Sequence, residues 1–265
     1  MPETPLHITL ACDGNPLYTM LLRTCMASVL SHARDDETLH FHVLDGGIGS
    51  EVKRAIDALQ SMHPFRVRYY PAGEAGPHGG AAYYRLRVGY FLDTISRTLY
   101  LDVDTVALRS LKTLYDQPLN GYAFGACLDG AHRAKARRLG VPVGNYFNSG
   151  VMLMDLDIWR KGRIYEKCLA TAKNHPEKLR YQDQDVLNLL FHGHYHRLSP
   201  AWNTLSVLAD QDTDFSQCGI LHFAGDRTLR TPAGAFLIQS AQRTGFSPES
   251  VMALLNPGYP VPPPQ

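Results

Sequence analysis

Residues 7–70 alternate β-strand and α-helix patterns, and this alternation limits the chain to few folds. Short apolar runs predict strands, and the amphipathic segments between them predict helices. In chain order the predicted elements are a strand at 7–12, a helix at 16–31, a strand at 39–44, a helix at 50–63 and a strand at 65–70. Successive βαβ units joined by right-handed crossovers build a mostly parallel sheet with helices on both faces. We therefore expect an α/β protein whose ligands lie in the crevice at the carboxyl ends of its strands.

The rest of the chain continues this pattern without a linker that would divide it. The further predicted elements are a Gly- and Pro-rich loop at 72–80, helices at 81–93, 158–174 and 183–192, and strands at 98–101, 121–127, 150–154 and 219–223. A chain of 265 residues can bury one large core. We predict a single domain at 1–245 followed by a proline-rich C-terminal tail at 246–265.

Composition and motif content exclude several classes of protein. The net charge is +1 and the basic residues are scattered, which argues against a nucleic-acid surface. No apolar segment approaches the roughly 20 residues that a membrane helix needs, and there is no signal-peptide pattern, so we expect a cytoplasmic protein. No Gly-x-Gly-x-x-Gly follows the first strand, which argues against a dinucleotide-dependent dehydrogenase. The five cysteines have irregular spacing and are expected to be buried free thiols.

The stretch with the clearest chemical content is Tyr100-Leu101-Asp102-Val103-Asp104-Thr105, where two carboxylates close an apolar strand. Side chains i and i+2 of a strand share a face, so Asp102 and Asp104 are predicted to converge while Val103 points into the core. Hard divalent cations such as Mg²⁺ or Mn²⁺ take a few carboxylates and complete their shell with water and phosphates. The sequence therefore predicts a divalent metal site at this strand end.

Asp-x-Asp alone is not specific, because the chain contains five such pairs. Asp155 and Asp157 precede a predicted helix, where Asp157 is better explained as an N-cap. The acidic cluster at 210–214 lacks the glycine and glutamate of a calcium loop and fits a solvated loop. Asp183 and Asp185 begin a predicted helix, whose dipole they complement. Context favours the pair at the end of the strand at 98–101.

Six motifs, taken in order, resemble those of glycosyltransferase family 8, and in particular of bacterial lipopolysaccharide galactosyl- and glucosyltransferases. The motifs are Ala11-Cys12-Asp13-Gly14-Asn15, Ala81-Ala82-Tyr83-Tyr84-Arg85-Leu86, Leu101-Asp102-Val103-Asp104, Tyr146-Phe147-Asn148-Ser149-Gly150-Val151, Tyr181-Gln182-Asp183-Gln184-Asp185 and His222-Phe223-Ala224-Gly225. The resemblance implies a GT-A type fold with a Rossmann-like sheet. It also implies retaining transfer of galactose or glucose from a UDP-sugar to a glycan, glycolipid or glycoprotein, with a divalent metal that is usually Mn²⁺.

The same resemblance implies a role for individual residues. The metal ligands would be Asp102, Asp104 and His222, and the imidazole favours Mn²⁺ over Mg²⁺, which stays possible. The donor-binding positions would be Ala11, Asp13, Asn15, Arg85, Asp102, Val103, Asn148, Ser149, Gly150, Gly225 and Arg227. The catalytic pair would be Asp183 and Gln184, which hold the sugar near its reacting carbon. Because Gln184 is an amide and not a carboxylate nucleophile, same-face attack by the acceptor is favoured over a covalent intermediate.

Two features depart from the family pattern. Thr228 stands where the family commonly has a lysine, so we expect Arg227 or Arg230 to replace the missing ammonium beside the diphosphate. No Lys or Arg follows Arg243, so a basic lipid-binding tail is not expected and membrane contact is peripheral at most. The lost lysine keeps open a UDP-sugar-binding protein with weak or no transfer activity, and a nucleotide-sugar hydrolase is the other alternative.

Overall fold

The computed structural model describes residues 4–73, 81–224 and 232–255, which contain ten β-strands and ten α-helices. The strands are β1 Leu6–Cys12, β2 Leu39–Asp45, β3 Phe65–Pro71, β4 Arg97–Leu101, β5 Thr105–Ala107, β6 Phe124–Leu128, β7 Phe147–Asp155, β8 His196–Arg197, β9 Thr204–Leu205 and β10 Ile220–His222. The α-helices are α1 Pro16–His32, α2 Ser50–Asp57, α3 Val88–Phe91, α4 Lys112–Tyr115, α5 His132–Leu139, α6 Leu156–Lys161, α7 Ile164–Asn174, α8 Gln182–Phe191, α9 Ala233–Gln242 and α10 Pro248–Leu255.

The main sheet has seven strands in the order β3-β2-β1-β4-β7-β6-β8. Strands β3, β2, β1 and β4 run parallel, and β6 is parallel to β8. Strand β7 runs antiparallel to both of its neighbours, β4 and β6. The expected mostly parallel sheet is confirmed. Because β7 is reversed, its first residues lie at the same edge as the last residues of β1, β4 and β6.

Helices cover both faces of this sheet, as the βαβ pattern predicts. Helices α1 and α9 pack on one face, where Leu21 and Leu237 join the same apolar cluster as Ile8 and Leu99. Helices α6, α7 and α8 pack on the other face around Phe124. Strands β1 and β4 are buried along almost their whole length, which is typical of central strands covered on both sides.

A small three-stranded sheet, in the order β5-β10-β9, extends the edge at which β4 ends. Strand β10 is antiparallel to β5, with His222 opposite Thr105, and parallel to β9. The N–H of Phe223 also donates to the carbonyl of Asp104 at 2.8 Å. This pairing brings a histidine from late in the chain beside the segment that follows β4.

Two predicted helices differ in the structure. The segment predicted as a helix at 81–93 is a 3₁₀ helix at Ala81–Arg87 followed by the short α3. The helix predicted at 158–174 is two helices, because Arg163 between them adopts a left-handed conformation with φ of 50°. Such a residue ends the run of helical backbone dihedrals, so α7 begins anew at Ile164.

The expectation that Asp157 caps a helix is wrong by two residues. The N-cap of α6 is Asp155, whose Oδ1 accepts the N–H of Ile158 at 2.9 Å. Strand β7 continues to Asp155, so the helix starts at Leu156 and Asp157 lies in its first turn. There Asp157 forms an exposed ion pair with Arg160.

Other expectations concern the cysteines, membrane segments and the C-terminal region. All five cysteines are free and buried, as expected, and burial raises the pKa of Cys25 and of Cys127 to about 12. Among the described residues, no helix has both the length and the apolar character needed to cross a bilayer. Helix α10 lies within the segment predicted as a tail and contributes Val251 to the core, while residues 256–265 lie outside the described ranges.

Candidate metal centre and active site

Asp102 and Asp104 converge as predicted, but through a turn and not through strand alternation. Strand β4 ends at Leu101, and the carbonyl of Asp102 accepts hydrogen bonds from Thr105 N at 3.2 Å and Thr105 Oγ1 at 2.8 Å. Val103, between the two acids, is buried as expected. The predicted convergence of the two side chains is confirmed, whereas strand alternation is not its physical cause.

His222 completes a cluster with these two carboxylates. Its Nε2 lies 3.2 Å from Asp104 Oδ1 and 3.8 Å from Asp102 Oδ2. The imidazole is 2% exposed, whereas the side chains of Asp104 and Asp102 are 11% and 23% exposed, so the cluster opens to solvent on the Asp102 side. Burial disfavours an imidazolium, but Asp104 and Asp102 together raise the pKa of His222 above its ordinary value.

The donor set fits a divalent cation. One ligand atom from each of Asp102, Asp104 and His222 can be chosen so that all three lie within 4.8 Å of one another. Ligands about 2.1 Å from an octahedral cation stand about 3 Å apart at adjacent corners, close to the separations found here. Two carboxylates and one imidazole suit Mn²⁺ as well as Mg²⁺, and the nitrogen ligand favours the transition metal. The exposed side leaves room for water or phosphate oxygens.

A bulge in β7 forms the wall of this cluster. Strand β6 pairs Ala126 with Met152 and Cys127 with Asn148, so residues 149–151 bulge out of that ladder. The carbonyl of Gly150 accepts the N–H of Asp102 at 2.7 Å. A Cβ at Gly150 would lie 2.2 Å from His222 Cε1 and 2.8 Å from Asp102 Oδ2, so only glycine allows this close approach. Asn148, Ser149 and Gly150, which the family resemblance assigns to the donor site, thus lie at the start of β7.

Arg85 is buried and connects the metal cluster to α8. Its Nη2 lies 2.8 Å from Asp102 Oδ1, and its Nε lies 2.7 Å from Asp183 Oδ2. Its Nη1 donates to the carbonyl of Ser149 at 2.6 Å, and the guanidinium stacks over the ring of Tyr100 at 4.7 Å. Burial opposes the charge of Arg85, but Asp102 and Asp183 raise its pKa above the usual value.

Asp183 and Gln184 face the β7 bulge from the first turn of α8. Gln182, the residue before them, adopts a left-handed conformation with φ of 44°. Asp183 Oδ2 accepts the hydroxyl of Ser149 at 3.3 Å, and burial raises the pKa of Asp183 to about 6 in spite of Arg85. Gln184 Oε1 accepts the N–H of Ser149 at 3.2 Å, so the amide has a defined orientation.

Two polar residues at this edge were not singled out from the sequence. Asp129 is fully buried just beyond β6, and its Oδ2 accepts Gln184 Nε2 at 3.3 Å, Asn148 Nδ2 at 3.3 Å and Lys135 Nζ at 2.8 Å. Asn203 lies beside His222, whose Nδ1 is 2.9 Å from Asn203 Oδ1. Asp129 could have been found from the sequence, because it is a carboxylate just after a predicted strand. Asn203 could not, because only the pairing of β9 with β10 brings it next to His222.

The predicted nucleotide-side residues form the turn after β1. Asp13 Oδ1 accepts the N–H of Asn15 at 3.0 Å, and Asn15 Oδ1 accepts the N–H of Leu17 at 3.0 Å, which caps α1. Gly14 has a φ of 82°, which favours glycine. Ala11 is buried in β1, whose end lies beside that of β4. Asp13 stays exposed at the edge that holds the metal cluster.

Four of the residues discussed from the sequence, Gly225, Arg227, Thr228 and Arg230, lie outside the described residues. The remaining donor-side, catalytic and metal-ligand positions are on the described elements, at the edge where β1, β4 and β6 end and β7 begins. The arrangement can hold a divalent cation beside a buried arginine and a pair of groups that accept and donate hydrogen bonds to hydroxyls.

Comparisons with known proteins agree with this picture. A sequence model described as Glycosyl transferase family 8 matches residues 7–227. General stress protein A of Bacillus subtilis is 28% identical over 77% of this chain and 75% of its own length. Lipopolysaccharide 1,3-galactosyltransferase of Salmonella typhimurium is 27% identical over 88% of this chain and 76% of its own length. The chain spans about half the length of several other curated relatives that it matches.

A solved structure shows the same fold. The crystal structure of galactosyltransferase LgtC in complex with donor and acceptor sugar analogs superposes with a TM-score of 0.75 at 26% sequence identity. The superposition covers 94% of this chain and 100% of that one.

Proposed function

Because the chain belongs to glycosyltransferase family 8, a family of sugar-transferring enzymes with the GT-A fold, we propose that it moves galactose or glucose from a UDP-sugar to a glycan acceptor. The transfer proceeds with retention of configuration and requires Mn²⁺. The observation that supports this most strongly is the cluster of Asp102, Asp104 and His222 at the sheet edge where nucleotides bind in α/β folds. The lipopolysaccharide galactosyltransferase among the relatives supports a hexose donor.

The proposed cation would be held by Asp102, Asp104 and His222. When bound, it offsets the negative charge that grows on the diphosphate as the bond to the sugar breaks. Asp102 is oriented for this task, because its Oδ1 is held by Arg85 Nη2 at 2.8 Å and by Tyr100 Oη at 3.1 Å. Its Oδ2 then faces His222 Nε2. The fixed carboxylate reduces the reorganisation that cation binding requires.

The donor hexose is proposed to lie between the β7 bulge and the start of α8. The amide nitrogen of Asn148 has two hydrogens and uses one to bond Asp129, so the other can donate to a sugar hydroxyl. Asp183 and Gln184 offer oxygens that can accept from sugar hydroxyls. Glycine at position 150 permits close approach of the backbone. Asp13 and Asn15 are proposed to contact the uridine, with Arg227 or Arg230 beside the diphosphate.

The proposed retaining step has no covalent intermediate, because Gln184 carries an amide and not a carboxylate nucleophile. An acceptor hydroxyl oxygen attacks the anomeric carbon on the face from which UDP leaves, and the electron pair of the broken bond goes to the phosphate oxygen. That oxygen takes the hydroxyl proton. Gln184 contributes an amide oxygen held in place by the N–H of Ser149, positioned to stabilise positive charge on the sugar ring.

A panel of UDP-sugars tests the proposal. Mn²⁺-dependent release of UDP, stimulated by a glycan acceptor and abolished by Asp104→Asn, is the expected result. Asp157→Asn is the matched control, because it changes an Asp-x-Asp pair at the opposite end of β7. Free hexose produced at the same rate with and without acceptor would indicate a hydrolase. Nucleotide binding without any release of UDP would indicate a sugar-nucleotide-binding protein.

A further inference from the structure

We infer that Asn203 is a positioning residue that fixes the proton tautomer and the ring orientation of His222, and so controls the affinity of the cluster for its cation. The inference rests on the proposed metal site and goes beyond it, because it concerns a residue that would touch neither cation nor sugar. Asn203 is 6% exposed and lies immediately before the short β9, which runs parallel to β10. Its role follows from the direction of three successive hydrogen bonds.

The first hydrogen bond fixes Asn148. The N–H of Gly150 lies 2.9 Å from Asn148 Oδ1, and a backbone N–H can only donate, so this atom must be the carbonyl oxygen. Asn148 Nδ2 then faces Asp129 Oδ2 at 3.3 Å, which agrees with that orientation because a carboxylate accepts. The amide of Asn148 is therefore set by two groups of known polarity.

The second and third hydrogen bonds extend these fixed donor and acceptor roles from Asn148 through Asn203 to His222. Asn203 Nδ2 lies 2.9 Å from Asn148 Oδ1, so Asn203 must donate there. Its Oδ1 consequently faces His222 Nδ1 at 2.9 Å and accepts the imidazole N–H. With a proton held on Nδ1, Nε2 is the nitrogen left to ligate a cation bound between Asp104 and Asp102.

The other tautomer would exclude the cation. A proton on Nε2 would donate to Asp104 Oδ1, 3.2 Å away, and would leave Nδ1 facing the carbonyl oxygen of Asn203 without a hydrogen. Groups that hold the second nitrogen of a ligating histidine commonly change metal affinity 10–100-fold when removed. The chain Asp129–Asn148–Asn203–His222 also connects the metal ligand to Gln184, which donates to the same oxygen of Asp129 at 3.3 Å.

The test measures binding of Mn²⁺ alone, by electron paramagnetic resonance of the free ion. Asn203→Ala is expected to raise the dissociation constant about 10–100-fold. Asn203→Asp keeps an acceptor opposite Nδ1 but loses the N–H donor to Asn148 Oδ1, so its dissociation constant is expected to lie between those of wild type and Asn203→Ala. The matched control is Thr204→Ala in the neighbouring residue. It removes a hydroxyl that donates to Pro200 O and accepts from Cys218 Sγ, and it leaves the hydrogen bond to His222 unchanged. Its Mn²⁺ affinity is expected to equal that of wild type.

The outcomes separate this inference from the proposed function. Wild-type protein that binds no Mn²⁺ overturns the metal site itself. Wild-type affinity in Asn203→Ala, or an equal loss in Thr204→Ala, overturns the role of Asn203 alone. Nitrogen-15 NMR of wild-type protein with Mg²⁺ shows directly which nitrogen of His222 carries the proton. This measurement does not require Asn203→Ala to fold, and comparison with His222→Asn assigns the signals. A proton on Nδ1 and none on Nε2 supports the inference, and the reverse contradicts it.

Discussion

Replacing Gly150 by alanine tests the geometry of the metal cluster most severely. The added Cβ would lie 2.2 Å from His222 Cε1, whereas carbon atoms in contact stay about 3.5 Å or more apart. The imidazole must therefore retreat by about 1.3 Å. It is buried and held by Asn203, so the retreat also disturbs the hydrogen bond to Nδ1. A misplacement of about 1 Å can cost about 100-fold in rate, and we expect losses of that size in both Mn²⁺ affinity and kcat/KM.

The stability of Gly150→Ala separates this effect from general damage to the fold. Overpacking costs about 1–3 kcal/mol, which urea unfolding measures. Gly125→Ala in β6 is the matched control, because its Cβ would lie 3.0 Å from Leu198 and 3.1 Å from Leu119, away from the cluster. We expect Gly125→Ala to lower stability and to leave Mn²⁺ affinity unchanged. Wild-type Mn²⁺ affinity in Gly150→Ala would show that the close approach of residue 150 to His222 does not shape the cation site.

Three further predictions concern charged groups. Arg85→Lys cannot keep the ion pairs with both Asp102 and Asp183, and it leaves the buried carboxylate of Asp183 without its ion-pair partner. We expect the free energy of unfolding, measured with urea, to fall by about 3 kcal/mol and kcat to fall strongly. Unchanged stability would contradict this. Burial lowers the pKa of His42 to about 3 and of His7 to about 4. Unfolded histidine takes up its proton near pH 6.5, so the free energy of unfolding should fall as pH drops from 6.5 towards 4, by about 2 kcal/mol at pH 5 for His42. His42→Gln should make the free energy of unfolding depend less on pH over this range. Parallel pH curves for His42→Gln and wild type would show that His42 is not the cause. Arg227→Ala should raise the donor KM, and an unchanged KM in both Arg227→Ala and Arg230→Ala would show that neither arginine replaces the missing family lysine.

Much of the fold follows from local patterns, and the exceptions have identifiable causes. Strands β1 to β4 and helix α1 are long enough to show their period, and the structure places them close to the predicted positions. Strands β5, β8 and β9 have two or three residues, too few for any periodicity, and exist because of pairing with distant partners. The cap of α6 was misplaced because Asp155 and Asp157 have the same chemistry, and only the length of β7 decides between them.

In the candidate site, too, some residues can be identified from local sequence and others only from contacts between distant segments. Asp102, Asp104 and His222 were identified by their motifs, yet a turn and the pairing of β5 with β10 bring them together. The position of Asp129 beyond a strand was visible in the sequence. Asn203 carries no local signal, because its proposed role depends on a hydrogen-bond direction set by the N–H of Gly150 in β7.

One cation held by Asp102, Asp104 and His222 is central to the proposed transfer reaction. Anomalous diffraction from crystals soaked with Mn²⁺ and UDP measures this directly. The prediction is one manganese peak at roughly 2 Å from a carboxylate oxygen of each aspartate and from His222 Nε2, with a phosphate oxygen in a remaining position. Bound UDP with no manganese at these three side chains, or with manganese held elsewhere, would contradict it.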